Sequence, residues 1–171
     1  IATGDFDGDG KADLVTANSV SNTVSILLNT GSGDFAAKTD IVVGSQPRAV
    51  LTRDFNGDGN VDLAVAVANS TSDTVEILLG TGTGGFTPTA TLIAGATPVA
   101  LASADFNGDS VLDLAVVNSG DNSVHIFLGT GAGNFTFGTA LTTGVAPSGI
   151  AVTDFNGDTL PDLAVTNASD D

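Results

Sequence analysis

The chain consists of short apolar runs separated by clusters of glycine, asparagine, aspartate and proline. The runs are rich in Val, Ile, Leu and Thr and are too short for amphipathic helices, so they predict β-strands joined by tight turns. In the run that begins at Val24, apolar residues alternate with Ser25, and Glu76 and His125 take the equivalent place in two later runs. A polar row on one side of a strand predicts a solvent-exposed face, which would put His125 at the surface and not in a site.

The order of these runs repeats along the whole chain. An acidic loop opens each repeat, and successive loops start 49, 51 and 49 residues apart. Each full repeat offers four strand-like runs, a glycine turn that ends in Phe, and a proline that leads into the next loop. A fixed period of about fifty residues predicts an all-β array of four-stranded antiparallel units. We expect one continuous repeat array over residues 1–171, divided into 5–53, 54–104, 105–153 and a partial repeat at 154–171.

The acidic loop has the pattern Asp-x-Asp/Asn-x-Asp-x-x-x-Asp. Positions one, three, five and nine hold Asp5, Asp7, Asp9 and Asp13; Asp54, Asn56, Asp58 and Asp62; Asp105, Asn107, Asp109 and Asp113; and Asp154, Asn156, Asp158 and Asp162. Calcium takes about six to eight oxygen ligands, and alternate residues of a tight loop can converge on one ion. A backbone carbonyl at position seven would come from Lys11, Asn60, Val111 and Leu160. The pattern therefore predicts up to four calcium ions, one per loop.

Acidic residues dominate the charge of the chain. Asp and Glu total 20 against 4 Lys and Arg, which gives a formal charge of −16 at pH 7. This balance argues against nucleic acid as a partner and favours cations. No apolar run approaches the ~20 residues of a membrane span, so no membrane insertion is expected. Aspartate also favours turns for its own sake, so metal-free acidic turns are the competing interpretation of the loops.

Other chemistry finds little support in the sequence. The loops are not EF-hands, because position twelve is Thr or Val instead of Glu. There is no cysteine, and one histidine without a G-x-S-x-G pattern leaves no serine triad. The stretch GTGTGG at 80–85 formally matches a dinucleotide-binding fingerprint, but no helix-like segment follows it and a hairpin turn is favoured. We therefore expect no enzyme.

The loops and their surroundings resemble a known repeat family. The motifs DFDGDGKAD, DFNGDGNVD, DFNGDSVLD and DFNGDTLPD, with turns such as LLGTGTGGF after most of them, are similar to FG-GAP or VCBS-type repeats. That family is related to the calcium-binding blades of integrin α-chain propellers, and the resemblance covers nearly the whole chain. It implies four-stranded β-propeller blades with calcium in a loop between strands. It also implies that Asp5, Asp7, Asp9 and Asp13 and their counterparts are ligands.

The chain departs from this family pattern in two ways. Position six of the loop is Gly10 or Gly59 in the first two copies but Ser110 or Thr159 in the last two. If this position needs a positive φ, the last two loops are expected to be strained or reshaped. Three full repeats and a partial one are also few for a closed ring. The array is therefore a piece of a longer propeller, a set of repeats completed by another chain, or an open stack.

These features lead to a functional expectation with two alternatives. We expect a calcium-stabilised structural segment of a secreted or surface adhesin or fibre, which assembles with further copies of the same repeat or chain. The alternatives are a propeller-type module that binds a glycan or a protein, and an accessory domain of a larger extracellular enzyme. Acidic calcium loops suit the high calcium outside cells, so an extracellular or cell-surface location is expected. Sequons at Asn69, Asn134 and Asn167 would then be open to glycosylation.

Overall fold

The computed structural model describes residues 1–68 and 73–169, and these residues form β-strands and turns. The first quarter of the chain contains β1 (Ala2–Gly4), β2 (Asp13–Asn18), β3 (Thr23–Leu27), β4 (Asn29–Gly31), β5 (Asp34–Phe35) and β6 (Thr39–Val42). Next come β7 (Pro47–Arg53), β8 (Asp62–Val67), β9 (Thr74–Gly80) and β10 (Phe86–Ile93). The remaining strands are β11 (Pro98–Ala104), β12 (Asp113–Asn118), β13 (Ser123–Gly129), β14 (Phe135–Thr142), β15 (Pro147–Thr153) and β16 (Asp162–Asn167). No helix among the described residues is long and apolar enough to cross a membrane.

The strands form a series of antiparallel sheets that follow one another along the chain. Sheet 1 has the order β1-β2-β3-β6, sheet 2 the order β7-β8-β9-β10, and sheet 3 the order β11-β12-β13-β14. Sheet 4 consists of β15 and β16, and β4 and β5 form a small hairpin of their own. The predicted all-β fold of tandem four-stranded antiparallel units is confirmed. Within the described residues no strand joins sheet 4 to sheet 1, so the series is not closed.

Proline marks the first strand of sheets 2, 3 and 4. Pro47, Pro98 and Pro147 are the first residues of β7, β11 and β15, and the pairing register shifts directly after each of them. Proline cannot donate a ladder hydrogen bond, so the beginning of a strand, next to an irregularity, is the place where a sheet tolerates it. The proline that follows the mixed stretch of each repeat therefore fixes where the next sheet starts.

Neighbouring sheets stack face to face, and the second strands of the inner sheets 2 and 3 are buried on both sides. Val65 of β8 faces sheet 1, where it packs in a cluster with Val15 and Ile26. Ala64, one residue earlier, faces sheet 3 and packs in a second cluster with Leu114. All six residues of β8 and all six of β12 are buried. This double burial explains why these strands are continuous runs such as DLAVAV and do not alternate between apolar and polar residues.

The first strands of the four sheets lie beside one another, while the fourth strands lie at the opposite edge. Strand β7 contacts β1 and β11, and β11 contacts β15. The Thr52 hydroxyl of β7 also donates a hydrogen bond of 2.8 Å to the carbonyl oxygen of Thr3 in β1. By contrast, most residues of β10 and β14 are exposed. The stack therefore has an inner edge of packed first strands and an outer edge that faces solvent.

The expectation of a solvent-exposed polar row on the third strands is wrong. Ser25 is only 4% exposed, and Glu76 and His125 are half-buried. Ser25 lies under Asp40, to which it donates a hydrogen bond of 2.6 Å. Glu76 accepts a hydrogen bond of 2.8 Å from the backbone N–H of Gly44 in the preceding repeat. Polar residues of this row therefore make contacts inside the array, because both faces of an inner sheet are covered.

Burial predicts that replacing leucine by alanine lowers the free energy of unfolding by very different amounts at two positions of sheet 3. Leu114→Ala removes a fully buried side chain between sheets 2 and 3 and is expected to lower the free energy of unfolding by about 2–5 kcal/mol. Leu141→Ala is the matched control, because Leu141 is 43% exposed on β14, and it is expected to cost less than about 1 kcal/mol. Urea unfolding monitored by circular dichroism measures both, and equal losses would contradict the stacked arrangement.

Candidate metal-binding loops

All four acidic loops occupy the same place in the fold. Each connects the first strand of a sheet to the second, between β1 and β2, β7 and β8, β11 and β12, and β15 and β16. Position one follows the end of the first strand, and position nine is the first residue of the second strand. Because the sheets stack in register, the loops recur at equivalent ends of successive sheets.

The carboxylate at position one organises the backbone of the loop around it. In the third loop, Oδ1 of Asp105 accepts hydrogen bonds from the N–H groups of Gly108 at 2.7 Å and Asp109 at 3.1 Å. Its Oδ2 accepts from Ser110 at 2.7 Å. Burial alone would raise the pKa of Asp105, but these backbone donors outweigh it and the pKa is lowered. The N–H groups of Thr159 and then Gly157 likewise lower the pKa of Asp154, so both carboxylates are charged at neutral pH.

Positions three and five are linked to each other in the same way in the last three loops. In the third loop, Oδ1 of Asn107 accepts from the N–H of Asp109 at 2.9 Å, and its amide group donates to Oδ2 of Asp109, also at 2.9 Å. In the second loop, the backbone N–H of Asn60 and then the amide of Asn56 lower the pKa of Asp58. The asparagine therefore holds the position-five carboxylate in place while presenting its own oxygen in the loop.

The first loop differs because it carries its own cation. The Lys11 ammonium group forms an ion pair with Asp9, and this contact lowers the pKa of Asp9 and raises that of Lys11. Both side chains are substantially exposed, so the pair contributes little to stability. Asp5, Asp7 and Asp13 each have a carboxylate oxygen within 4.8 Å of the others, and Asp9 lies outside that group. A bound cation would compete with Lys11 for Asp9.

The carboxylate at position nine has a second role that the sequence did not predict. Asp113 is fully buried, and its Oδ2 accepts from the N–H of Phe106 at 2.9 Å. Its Oδ1 accepts from the N–H of Gly129, the last residue of the third strand, at 2.8 Å. Asp62 is also fully buried and makes the same two contacts, and the fully buried Asp13 accepts from the N–H groups of Phe6 and of Asn29, the first residue of β4. Burial raises the pKa of Asp62 despite these donors. The only sequence signal for this role is that position nine is Asp in every loop.

The oxygen atoms of these loops fit a hard cation. Side-chain donors at positions one, three, five and nine are carboxylates or an asparagine amide, without sulfur or imidazole. At position one of the third loop, Oδ2 of Asp105 accepts a single backbone N–H and retains a further lone pair for an ion, whereas Oδ1 accepts two. Oxygen-only donors suit calcium and are poor ligands for zinc or copper. In the first loop, Asp5, Asp7 and Asp13 bring carboxylate oxygens within 4.8 Å of one another and would hold such an ion, which would supply positive charge among crowded carboxylates.

Position six adopts a left-handed backbone in every loop. Its φ is 82° at Gly10, 87° at Gly59, 67° at Ser110 and 74° at Thr159. The N–H of Ser110 donates to Asp105 in the same way as that of Gly10 donates to Asp5, at 2.7 and 2.8 Å. The last two loops are therefore not reshaped. They keep the geometry of the glycine-containing loops and hold a non-glycine residue in a strained conformation.

Removing that strain is expected to stabilise the protein. Ser110→Gly relieves the unfavourable φ and is expected to raise the free energy of unfolding by up to about 1 kcal/mol, since the greater flexibility of unfolded glycine offsets part of the gain. The reciprocal change Gly59→Ser serves as the control and is expected to lower it by about 1 kcal/mol. Urea unfolding in chelator separates this backbone effect from metal binding. A loss of stability in Ser110→Gly would show that position six is not strained.

Comparison with known proteins places these loops in a family. A family model described as FG-GAP-like repeat matches three overlapping segments, residues 5–65, 54–116 and 105–165. Each segment begins at one acidic loop and extends through the next. No curated protein matches this sequence.

Solved structures with low sequence identity share the fold. A crystal structure of BBS1N in complex with ARL6DN, soaked with lead, matches with a TM-score of 0.67 and 18% identity, covering 97% of this chain and 49% of that chain. The same complex soaked with mercury matches with a TM-score of 0.60 and 19% identity, covering 89% and 41%. This chain thus spans half or less of the length of these structures. The repeats and their stacked four-stranded sheets are those of a propeller-type module, and the chain belongs to the family of FG-GAP-like repeats.

Proposed function

We propose that the chain is a calcium-stabilised, non-enzymatic structural segment of an extracellular or cell-surface adhesin or fibre. One observation carries this proposal: the acidic loop is built four times with the same position-one hydrogen bonds at the same strand junction. A ligand set repeated once per sheet is typical of a structural element, whereas an active site would be formed once. With one calcium ion in each loop, every sheet of the array would be stabilised by an ion of its own.

The way in which an ion would stabilise a sheet follows from the contacts of the loop. Position one wraps the loop backbone, and position nine ties that loop to the third strand through Gly80 in sheet 2 and Gly129 in sheet 3. An ion that binds both positions only in the folded chain adds its binding free energy to the stability of three strands. It also reduces repulsion in a chain whose formal charge is −16.

The described residues favour a non-enzymatic role. The glycine stretch at 80–85 lies at the turn between β9 and β10, where the N–H of Thr81 donates to the carbonyl of Gly85 at 2.9 Å. The predicted hairpin turn is thus confirmed, and no nucleotide-binding helix follows it. His125 packs against Phe127 and Phe137, and the loop carboxylates hold backbone N–H groups. The loop carboxylates therefore have structural partners where an enzyme would need free acids and bases.

An extracellular location is proposed from the calcium loops and from one exposed sequon. Loops of moderate affinity are filled where calcium is millimolar, as it is outside cells. Asn134 is exposed in the turn before β14 and would be accessible for glycosylation, whereas Asn167 is half-buried. The sequon at Asn69 lies outside the described residues.

Calcium removal tests the proposal directly. At a calcium concentration one hundred times Kd, each filled site adds about 2.7 kcal/mol to the free energy of unfolding. Chelator is therefore expected to lower the melting temperature by at least about 5 °C, and magnesium to restore little of it. Differential scanning calorimetry measures the shift, and an unchanged melting temperature in chelator would refute the calcium proposal.

Two variants assign that effect to the loops. Asp109→Asn removes one ligand charge without touching the buried position-nine carboxylate, and it is expected to abolish about one site's share of the calcium-dependent gain. Asp34→Asn is the matched control, because Asp34 is an exposed acid outside the loops. It is expected to leave the gain unchanged, and an equal loss in both variants would indicate a general charge effect.

A protein-recognition module is the second candidate. BBS1N, which shares this fold, is in complex with ARL6DN, so a module of this shape can serve as a binding platform for another protein. Electron microscopy of the calcium-loaded chain distinguishes the two roles. Regular filaments are expected for a structural segment that stacks with its own copies, and discrete particles at all concentrations would favour recognition of a different partner.

A further inference from the structure

The four acidic loops differ in composition but carry the same charge. The first loop contains four aspartates and Lys11, whereas each of the other three contains three aspartates and has an asparagine at position three. The formal charge over the nine residues is therefore −3 in every loop. Lys11 is the only Lys or Arg in any of the loops, and residues 54–171 contain neither. The extra carboxylate of the first loop is thus balanced by a cation within the same loop.

Lys11 also replaces a hydrogen-bond donor that the first loop lacks. In the last three loops the position-three amide donates to Oδ2 of position five, from Asn56 to Asp58 at 3.0 Å, from Asn107 to Asp109 at 2.9 Å and from Asn156 to Asp158 at 3.0 Å. Asp7 holds position three in the first loop, and an ionised carboxylate has no proton to donate. There the Lys11 ammonium group donates to Oδ2 of Asp9 instead. The lysine therefore takes the place of the asparagine amide.

The fold directs the Lys11 side chain to this place. The backbone N–H of Lys11 donates to Oδ1 of Asp9 at 2.9 Å, and the position-seven N–H makes the same contact at 2.8 Å in each of the other loops. The aliphatic stem of Lys11 lies over the end of β4, where a methyl group added to Gly31 would lie 3.5 Å from its Cε. Val111 lies in the same way over Gly131 in the third repeat. The turn of each repeat thus positions the side chain at position seven.

The first loop is packed against the next sheet in the same way as the second loop. Phe6 packs edge to face against Phe86 of sheet 2, with ring centroids 5.4 Å apart and an interplanar angle of 75°. The N–H of Gly84, in the turn before Phe86, donates to the carbonyl oxygen of Phe6 at 2.8 Å. The second loop receives the same two contacts from sheet 3, through Phe135 and Gly133. The contacts of Lys11 are therefore those of a loop that is packed inside the array.

The carboxylates of the first loop are divided between the candidate ion site and Lys11. Asp5, Asp7 and Asp13 each place an oxygen within 4.8 Å of the others, whereas Asp9 lies outside this group and is held by Lys11. Calcium takes about six to eight oxygen ligands, so an ion in this loop gains by recruiting position five as well. Recruitment of Asp9 requires that the ammonium group leave it. Two positive charges in one nine-residue loop also repel each other.

We propose that Lys11 is an internal counter-ion that regulates calcium binding at the first loop, a role that rests on the proposed calcium function. Without calcium, the ammonium group neutralises Asp9. When calcium binds, the ammonium group leaves Asp9 for solvent and the carboxylate turns to the ion. Because binding then exchanges one cation for another, Lys11 raises the calcium concentration at which the first loop fills. The other loops hold position five with a neutral amide and have no cation to displace.

Calcium titration followed by nuclear magnetic resonance resolves the four loops. One backbone N–H in each loop donates to the position-one carboxylate and so reports on that site, namely those of Gly10, Gly59, Ser110 and Thr159. Lys11→Gln is expected to lower the calcium concentration at the Gly10 midpoint by about fivefold to tenfold, since one competing charge is removed. The other three midpoints are expected to stay at their wild-type values. An unchanged Gly10 midpoint would overturn the role of Lys11.

Two control variants separate this contact from the net charge of the chain. Lys38 forms the same kind of exposed ion pair with Asp40 outside the loops, so Lys38→Gln removes the same charge and is expected to leave the Gly10 midpoint unchanged. Lys11→Arg keeps the charge and is expected to behave like the wild-type chain. The proposal is wrong if Lys38→Gln shifts the midpoint as much as Lys11→Gln, or if Lys11→Arg shifts it like Lys11→Gln.

The lysine side chain itself reports the exchange. The chain has two lysines, so carbon-13 labelling of lysine gives one Cε signal for Lys11 and one for Lys38. The Lys11 signal is expected to move over the same calcium concentrations as the Gly10 N–H, while the Lys38 signal stays in place. A Lys11 signal that stays constant while Gly10 responds would mean that the ion leaves the ion pair intact, which contradicts the displacement.

The same titration separates the role of Lys11 from the proposed calcium function. If calcium shifts the Gly10 signal equally in the wild-type chain and in Lys11→Gln, calcium binding stands and only the role of Lys11 fails. If none of the four loop signals responds to millimolar calcium, the calcium function is refuted and the role of Lys11 fails with it.

Discussion

A buried carboxylate at the start of the second strand holds each complete sheet together. Asp113 accepts one N–H from its own loop and one from the end of the third strand, so a single side chain fixes three strands relative to one another. A buried polar group without hydrogen-bond partners is costly inside a protein, and these two donors make the burial of this side chain tolerable. The acidic loop can extend into solvent because its last residue is anchored in the core.

The stacking of sheets imposes a second constraint, which concerns side-chain size and polarity on both faces. Each inner sheet has neighbours on either side, so β8 and β12 must be apolar at every position between their terminal residues. Small residues such as Ala64 alternate with larger ones such as Val65, and each faces a different neighbour. A change in either residue therefore alters one interface and leaves the other intact. The stability of the array approximates a sum over sheets and the interfaces between them.

Much of the fold could be predicted from the sequence because the repeat shows each signal several times. The strands, the glycine turns and the position of the acidic loops follow from runs such as DLAVVN and GTGAGNF. The prediction for the polar row containing Ser25 and Glu76 is wrong, because alternation along one strand does not reveal that another sheet covers the polar side. The sequence also did not predict that Asp113, a residue of the acidic loop, binds the third strand as well, because its partner there, Gly129, is distant in sequence. Tertiary contacts of this kind leave no local pattern.

The contact between Phe6 and Phe86 has a consequence for how such chains lengthen. Each repeat carries both halves of the interface: a loop that accepts a ring on one side and a turn that presents a ring on the other. Duplication of one unit of about fifty residues therefore brings its own neighbour contacts with it. Genes for such proteins can gain or lose whole repeats without compensating changes elsewhere, and the number of sheets becomes a variable that evolution can adjust in single steps.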